Sequence, residues 1–165
     1  MQRVVYLSLF LLIFFELTVS CVSTHNSRND NAFVHLKKPE AYLADSVLLL
    51  INQYRQSIHL NSLEMKEEIT VQALQHSKEM GDKKVLFGHD GFDNRVAAIK
   101  STMGFIYGWA ENVAAGQSSA KQVVYDWLHS AGHKKNIEGN YNYTGIGIYH
   151  AADGMLYYTQ IFIRK

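Results

Sequence analysis

Apolar residues recur along this chain in two rhythms. Leu43, Val47, Leu50, Ile51, Tyr54 and Ile58 are spaced as on one face of a helix. The spacing predicts an amphipathic helix from Pro39 to about Ser57, with the proline suited to its first turn. Met65, Ile69, Ala73, His76 and Met80 repeat the pattern and predict a second helix from about Leu63 to Lys83. His76 lies on that apolar stripe, which favours a hydrogen-bonded core histidine over a ligand. A short third helix is predicted over Phe92–Thr102, ended by Gly104. Ile106–Ala114 alternates in part and reads as a strand. Ser118 and Ser119 then cap a helix whose buried face is Val123, Val124, Trp127 and Leu128, with Gly132 breaking it. Tyr143–Tyr149 and Met155–Ile163 are predicted strands joined through Ala152-Asp153-Gly154, a strong hairpin signal. The order helix, helix, helix, strand, helix, strand, strand predicts an α+β fold, an antiparallel sheet with helices on its faces.

Composition narrows the class. The 165 residues are 47% hydrophobic and 12% aromatic, enough for one domain with a real core. The formal charge is +1, and the pairs Lys37-Lys38, Lys83-Lys84 and Lys134-Lys135 are short and scattered. No basic stripe suits a nucleic acid, and that class of partner is excluded. Residues 1–20 read as a signal peptide: Arg3 precedes an apolar run from Val4 to Phe15 that is too short to span a bilayer comfortably. Leu17-Thr18-Val19-Ser20-Cys21 resembles a bacterial lipoprotein signal, which implies a lipid on Cys21 and a cell-envelope location. Ordinary secretion with cleavage near Ser20 is the alternative. Residues 21–38 are a polar tether, and the folded domain is expected over 39–165. Cys21 is the single cysteine, so no intrachain disulfide braces the domain and thiolate metal sites are ruled out.

Several short motifs follow one another in a fixed order. They are Asn52-Gln53-Tyr54-Arg55, Ala73–Met80, Gly88-His89, Ala110-Glu111-Asn112-Val113-Ala114, Val123–His133, Asn136-Ile137, Gly145-Ile146-Gly147 and Tyr158–Phe162. Together they resemble the CAP superfamily, or SCP domain (cysteine-rich secretory proteins, antigen 5 and pathogenesis-related 1 proteins), in its short disulfide-free bacterial branch. The resemblance implies a three-layer α-β-α sandwich with a small antiparallel sheet. It also implies a central cleft carrying two histidines and acidic residues, at the positions of His89, Glu111 and His133. A second acidic position of other members falls close to Ser130. The chain departs from the family at Ala110 and Ala131, where glycine and proline are usual; a positive φ at position 110 would make alanine costly.

Three chemistries are open to His89, Glu111, Ser130 and His133. Two imidazoles and a carboxylate are a ligand set for zinc or another divalent cation, although no HExxH spacing announces one. Ser130, His133 and Glu111 are also the residue types of a hydrolase triad, but no nucleophile elbow poises the serine. The third reading is a hydrogen-bonded network that orders a binding cleft without catalysis. This last reading, a binding or interaction module for a protein, lipid or small ligand, is the leading expectation. A metal-assisted hydrolase of peptide or ester bonds is the first alternative, and a lipid or sterol binder the second. The domain itself is expected to be monomeric.

Overall fold

A computed structural model describes residues 38–165. The predicted signal peptide (1–20), Cys21 and the tether up to residue 37 lie outside the described residues. The elements are helix α1 (Pro39–Ser57), strand β1 (Glu64–Met65), helices α2 (Glu67–Gly81) and α3 (Phe92–Met103), strand β2 (Gly108–Ala115), helices α4 (Ala120–Leu128) and α5 (Ala131–Ile137), and strands β3 (Tyr143–His150) and β4 (Leu156–Arg164). The sheet order is β1-β3-β4-β2. β4 is central and antiparallel to both long neighbours, with Gly147 opposite Thr159 and Glu111 opposite Ile161.

The helices lie on both faces, as expected for a three-layer sandwich. Alternate residues of β4 serve the two cores. Tyr158 and Phe162 pack with Val47 and Ile51 of α1 and Val123 and Trp127 of α4. Ile161 and Ile163 pack with Ile69 and Ala73 of α2 and Val96 and Ile99 of α3. Among the described residues no helix is long and apolar enough to cross a membrane.

Two boundaries differ from the sequence pattern. Leu63–Met65 is extended rather than helical, and α2 starts at Glu67. The Asn52 side chain grips the Leu63 backbone in both directions, at 2.9 and 2.8 Å, and Glu64 N–H donates to Asn142 O at 3.0 Å. These bonds draw the segment to β3 as a parallel edge strand, so the sheet is mixed rather than wholly antiparallel. Gly132 does not end a helix either. The break comes at His129 and Ser130, whose extended backbone starts α5, and Lys134 N–H donates to Ser130 O at 2.8 Å.

Two of the motif residues are structural. Arg55 is 2% exposed and its guanidinium donates to the carbonyls of Asn61, Ile137, Gly139 and Tyr141. It ties the end of α1 to the loop after α5. Gly147 lets the α2 backbone rest directly on β3: a Cβ there would sit 2.0 Å from Leu74 N and 2.3 Å from Ala73 C. Backbone on both sides leaves little to yield. Gly147→Ala is therefore expected to cost at least about 3 kcal/mol in urea unfolding, whereas wild-type stability would show that α2 can lift from the sheet at little cost.

Candidate functional site

The site is organised around one carboxylate. Glu111 lies mid-strand in β2, and its side chain is 1% exposed. Its alternate position on the strand points it to the α2–α3 side of the sheet. There Arg95 of α3 meets it in a fork, with Nε to Oε2 at 2.9 Å and Nη2 to Oε1 at 2.8 Å. Two parallel charge-assisted bonds are the strongest geometry available to such a pair. Arg95 also donates through Nη1 to Asp90 O at 2.8 Å. The same guanidinium therefore ties the loop between α2 and α3 to the sheet.

That loop carries His89. Its Nδ1 lies 2.9 Å from Glu111 Oε1 while its side chain remains 52% exposed. Among the described residues its Nε2 has no protein partner. Below the loop, His76 is 1% exposed and its Nε2 bonds Gly88 O at 2.8 Å. The sequence reading of His76 as a hydrogen-bonded core residue is thus met at one nitrogen, and Nδ1 is left without a partner. Burial lowers the pKa of His76, and the nearby Arg95 charge adds to the effect.

His133 comes from the other side, on α5. Asn112 Nδ2 donates to His133 O at 3.1 Å, and Asn136 Nδ2 donates to Glu111 O at 3.1 Å and to Asn112 Oδ1 at 2.9 Å. The two asparagines fasten α5 against β2. Burial lowers the pKa of the His133 imidazole first, and the charge of His89 lowers it further. The His89 ring thus lies near enough to His133 to act on its titration.

Three of the four sequence candidates belong to this arrangement, and Ser130 stands apart from it. Ser130 begins α5 through its backbone, and its hydroxyl makes no capping bond. Among the described residues, Ser130, His133 and Glu111 make no hydrogen bonds with one another, so a charge-relay triad is not assembled. Nor do the residues fit a zinc site of two imidazoles and one carboxylate as arranged. Both oxygens of Glu111 face the Arg95 guanidinium, and among the described residues no three His, Cys, Asp or Glu side chains are grouped to hold a metal ion. Ala110 is regular strand opposite Phe162, and among the described residues positive φ at a non-glycine position occurs only at His59 and Lys83. Alanine at position 110 thus carries no left-handed strain.

Arg95 is the functional residue that sequence reasoning missed. A signal was present: it lies three residues after Phe92 on the stripe shared with Val96 and Ile99. A cation on the apolar face of a helix calls for a buried anion.

With this geometry in hand, the relatives are informative. The model of the cysteine-rich secretory protein family, CAP, matches residues 48–162. The chain belongs to that family. The CAP domain is 37% identical over 122 residues to the uncharacterized protein YkwD of Bacillus subtilis (strain 168), covering 72% of this chain and 46% of that protein. An extracellular SCP-domain protein of Bacillus anthracis superposes with a TM-score of 0.66 at 30% identity, covering 76% of this chain and 41% of that one. The chain thus spans less than half the length of either Bacillus protein. An outer surface protein of Borrelia burgdorferi shares the fold, with a TM-score of 0.62 at 21% identity over 73% of this chain and 92% of that chain.

Both lowered histidines bear on stability. A depressed imidazole pKa means that the unfolded chain binds protons more readily than the folded CAP domain. The contribution is complete above the unfolded value of about 6.5 and is lost as pH falls through the folded values. Urea midpoints are therefore expected to be level above about pH 6.5 and to drop on acidification. His76→Gln should flatten the acid limb, and an unchanged limb would show that His76 is not held neutral.

Proposed function

We propose that this CAP domain is an extracytoplasmic binding module whose contact site is the cleft at His89, Glu111 and His133. The observation that carries this reading is the state of Glu111. Its carboxylate is engaged by Arg95 through both oxygens and is not free to serve as a general base or a metal ligand. What remains for a ligand is a fixed, hydrogen-bonded floor, the half-exposed His89 ring and the neighbouring His133. Such a surface recognises a partner by hydrogen bonding to imidazole, which suits a protein segment or a small polar ligand. An acyl chain or sterol would leave those ring nitrogens unpaired.

The reading extends to location. The Bacillus anthracis relative is an extracellular protein, and Leu17–Cys21 has the pattern of a lipoprotein signal. On this reading the module works outside the cytoplasm, tethered through an acylated Cys21 by the polar residues that follow. A single acyl chain gives only marginal anchoring, so the modification is expected to be multiple. Mass spectrometry of the mature protein should find an acylated N-terminal Cys21; an unmodified N-terminus refutes the tether.

The binding role has its own test. Incubation with peptide and ester libraries at neutral pH should give no turnover above that of His89→Ala and His133→Ala. Turnover by the wild type that disappears in both variants would make the cleft an active site and overturn the reading.

A further inference from the structure

The end of the sheet where β2 begins carries three aromatic rings in solvent. Phe105, Tyr107 and Trp109 are 75%, 70% and 39% exposed. Their backbone is nonetheless firmly held. Ile106, between the first two, is buried and packs with Ile161 and Ile163. Tyr107 N–H donates to Arg164 O at 2.7 Å, and strand pairing begins one residue later with Gly108 opposite Arg164. The Phe105 and Tyr107 rings meet edge to face, their centroids 5.0 Å apart. Single apolar residues on a surface are ordinary, but three rings within five residues of pinned chain form a patch.

The charge around this patch has one sign. Lys100 Nζ sits over the Trp109 ring, 3.9 Å from its centroid. Lys165 Nζ reaches back to Met103 O at the end of α3, and Arg164 stands beside Gly108 at the start of β2. All three cations are exposed. No Asp or Glu occurs from Asn94 to Ala110 or from Gly154 to Lys165. Among the described residues none of the three cations is in a salt bridge. The carboxylates that come nearest in the sheet are already engaged: Glu111, two residues along β2, by Arg95, and Glu64 on β1 by Lys66.

We propose that Phe105, Tyr107 and Trp109, with Lys100, Arg164 and Lys165, form a contact site for the surface of an anionic phospholipid membrane. Tyrosine and tryptophan suit the boundary between water and hydrocarbon, with the ring in the apolar layer and the polar atom in the wet one. Phe105 has no polar atom to keep wet and enters deepest. The three cations then meet lipid phosphates, and an anionic leaflet attracts each of them. A neutral glycan would use the rings but leave the cations without a counter-charge. A second copy of the same patch would set three cations against three. Trp109 and Glu111 share one face of β2, so the contact sets the His89 cleft beside the membrane surface. The inference rests neither on the binding role proposed for that cleft nor on acylation of Cys21.

Tryptophan fluorescence of the full chain provides the test, because Trp127 is 1% exposed and Trp109 is the ring able to respond. The chain is titrated with vesicles of phosphatidylcholine, alone or mixed with phosphatidylglycerol, that carry brominated acyl chains as quenchers. With phosphatidylglycerol at low salt, Trp109 emission is expected to shift to the blue and to be quenched. Both responses should fall away in about 1 M salt, where charges are screened within about 3 Å. Phe105→Ser with Tyr107→Ser should abolish the quenching. Arg164→Gln with Lys165→Gln leaves Lys100 on Trp109 and should raise the lipid concentration at half response about thirtyfold. Absence of quenching by the phosphatidylglycerol vesicles overturns the proposal, as does equal quenching by phosphatidylcholine alone or an unchanged response in either double variant. A shift that grows with protein concentration in the absence of lipid assigns the patch to a second copy and also overturns it.

Discussion

A buried ion pair between Arg95 and Glu111 governs the working end of this molecule. Placing a carboxylate in the middle of a strand and a guanidinium on the apolar face of a helix costs several kcal/mol per ion in lost hydration. The pair offsets that cost with a bidentate geometry and further bonds to the Asp90 carbonyl and the His89 ring. Three separate parts of the chain are joined by it: α3, the loop before α3, and β2. The position of His89 follows from that junction. So does the chemistry of the cleft, because a carboxylate claimed by arginine acts as an anchor.

The two edges of the sheet are finished differently. At β2 the outward carbonyls of Glu111 and Val113 accept from Asn136 Nδ2 and Trp127 Nε1, at 3.1 and 3.3 Å. Side chains of α5 and α4 thus close that edge while holding His133 beside the cleft. At β3, β1 pairs only with Tyr143 and Thr144, and Ile146 and Ile148 beyond it are buried at 1% and 3% exposure. On the other face of β3, α2 lies flat on Gly145 and Gly147, where the helix backbone replaces side chains as the packing surface.

Much of the fold was legible because long apolar stripes leave little freedom: α1, α3, β2 and the final hairpin lie where periodicity puts them. The misplacements arose where a single polar group outweighs propensity. Asn52 converts a helical-looking Leu63–Met65 into a strand, and the extended Ser130 splits what reads as one helix interrupted at Gly132. The site was half legible. The motifs located His89, Glu111 and His133, since those residue types stand out against apolar surroundings. They were silent on what Glu111 touches, because a partner sixteen positions away on a different element leaves no local spacing to read.

The central claim is that Glu111 belongs to Arg95, and a double-mutant cycle measures it most directly. Unfolding free energies of wild type, Arg95→Met, Glu111→Gln and the double variant supply the coupling. Each single change is expected to cost about 3–5 kcal/mol by stranding a buried charge. The double variant should recover much of that loss, giving a coupling of at least about 2 kcal/mol. Additive losses, with a coupling within about 0.5 kcal/mol of zero, would contradict the account and free Glu111 for another partner.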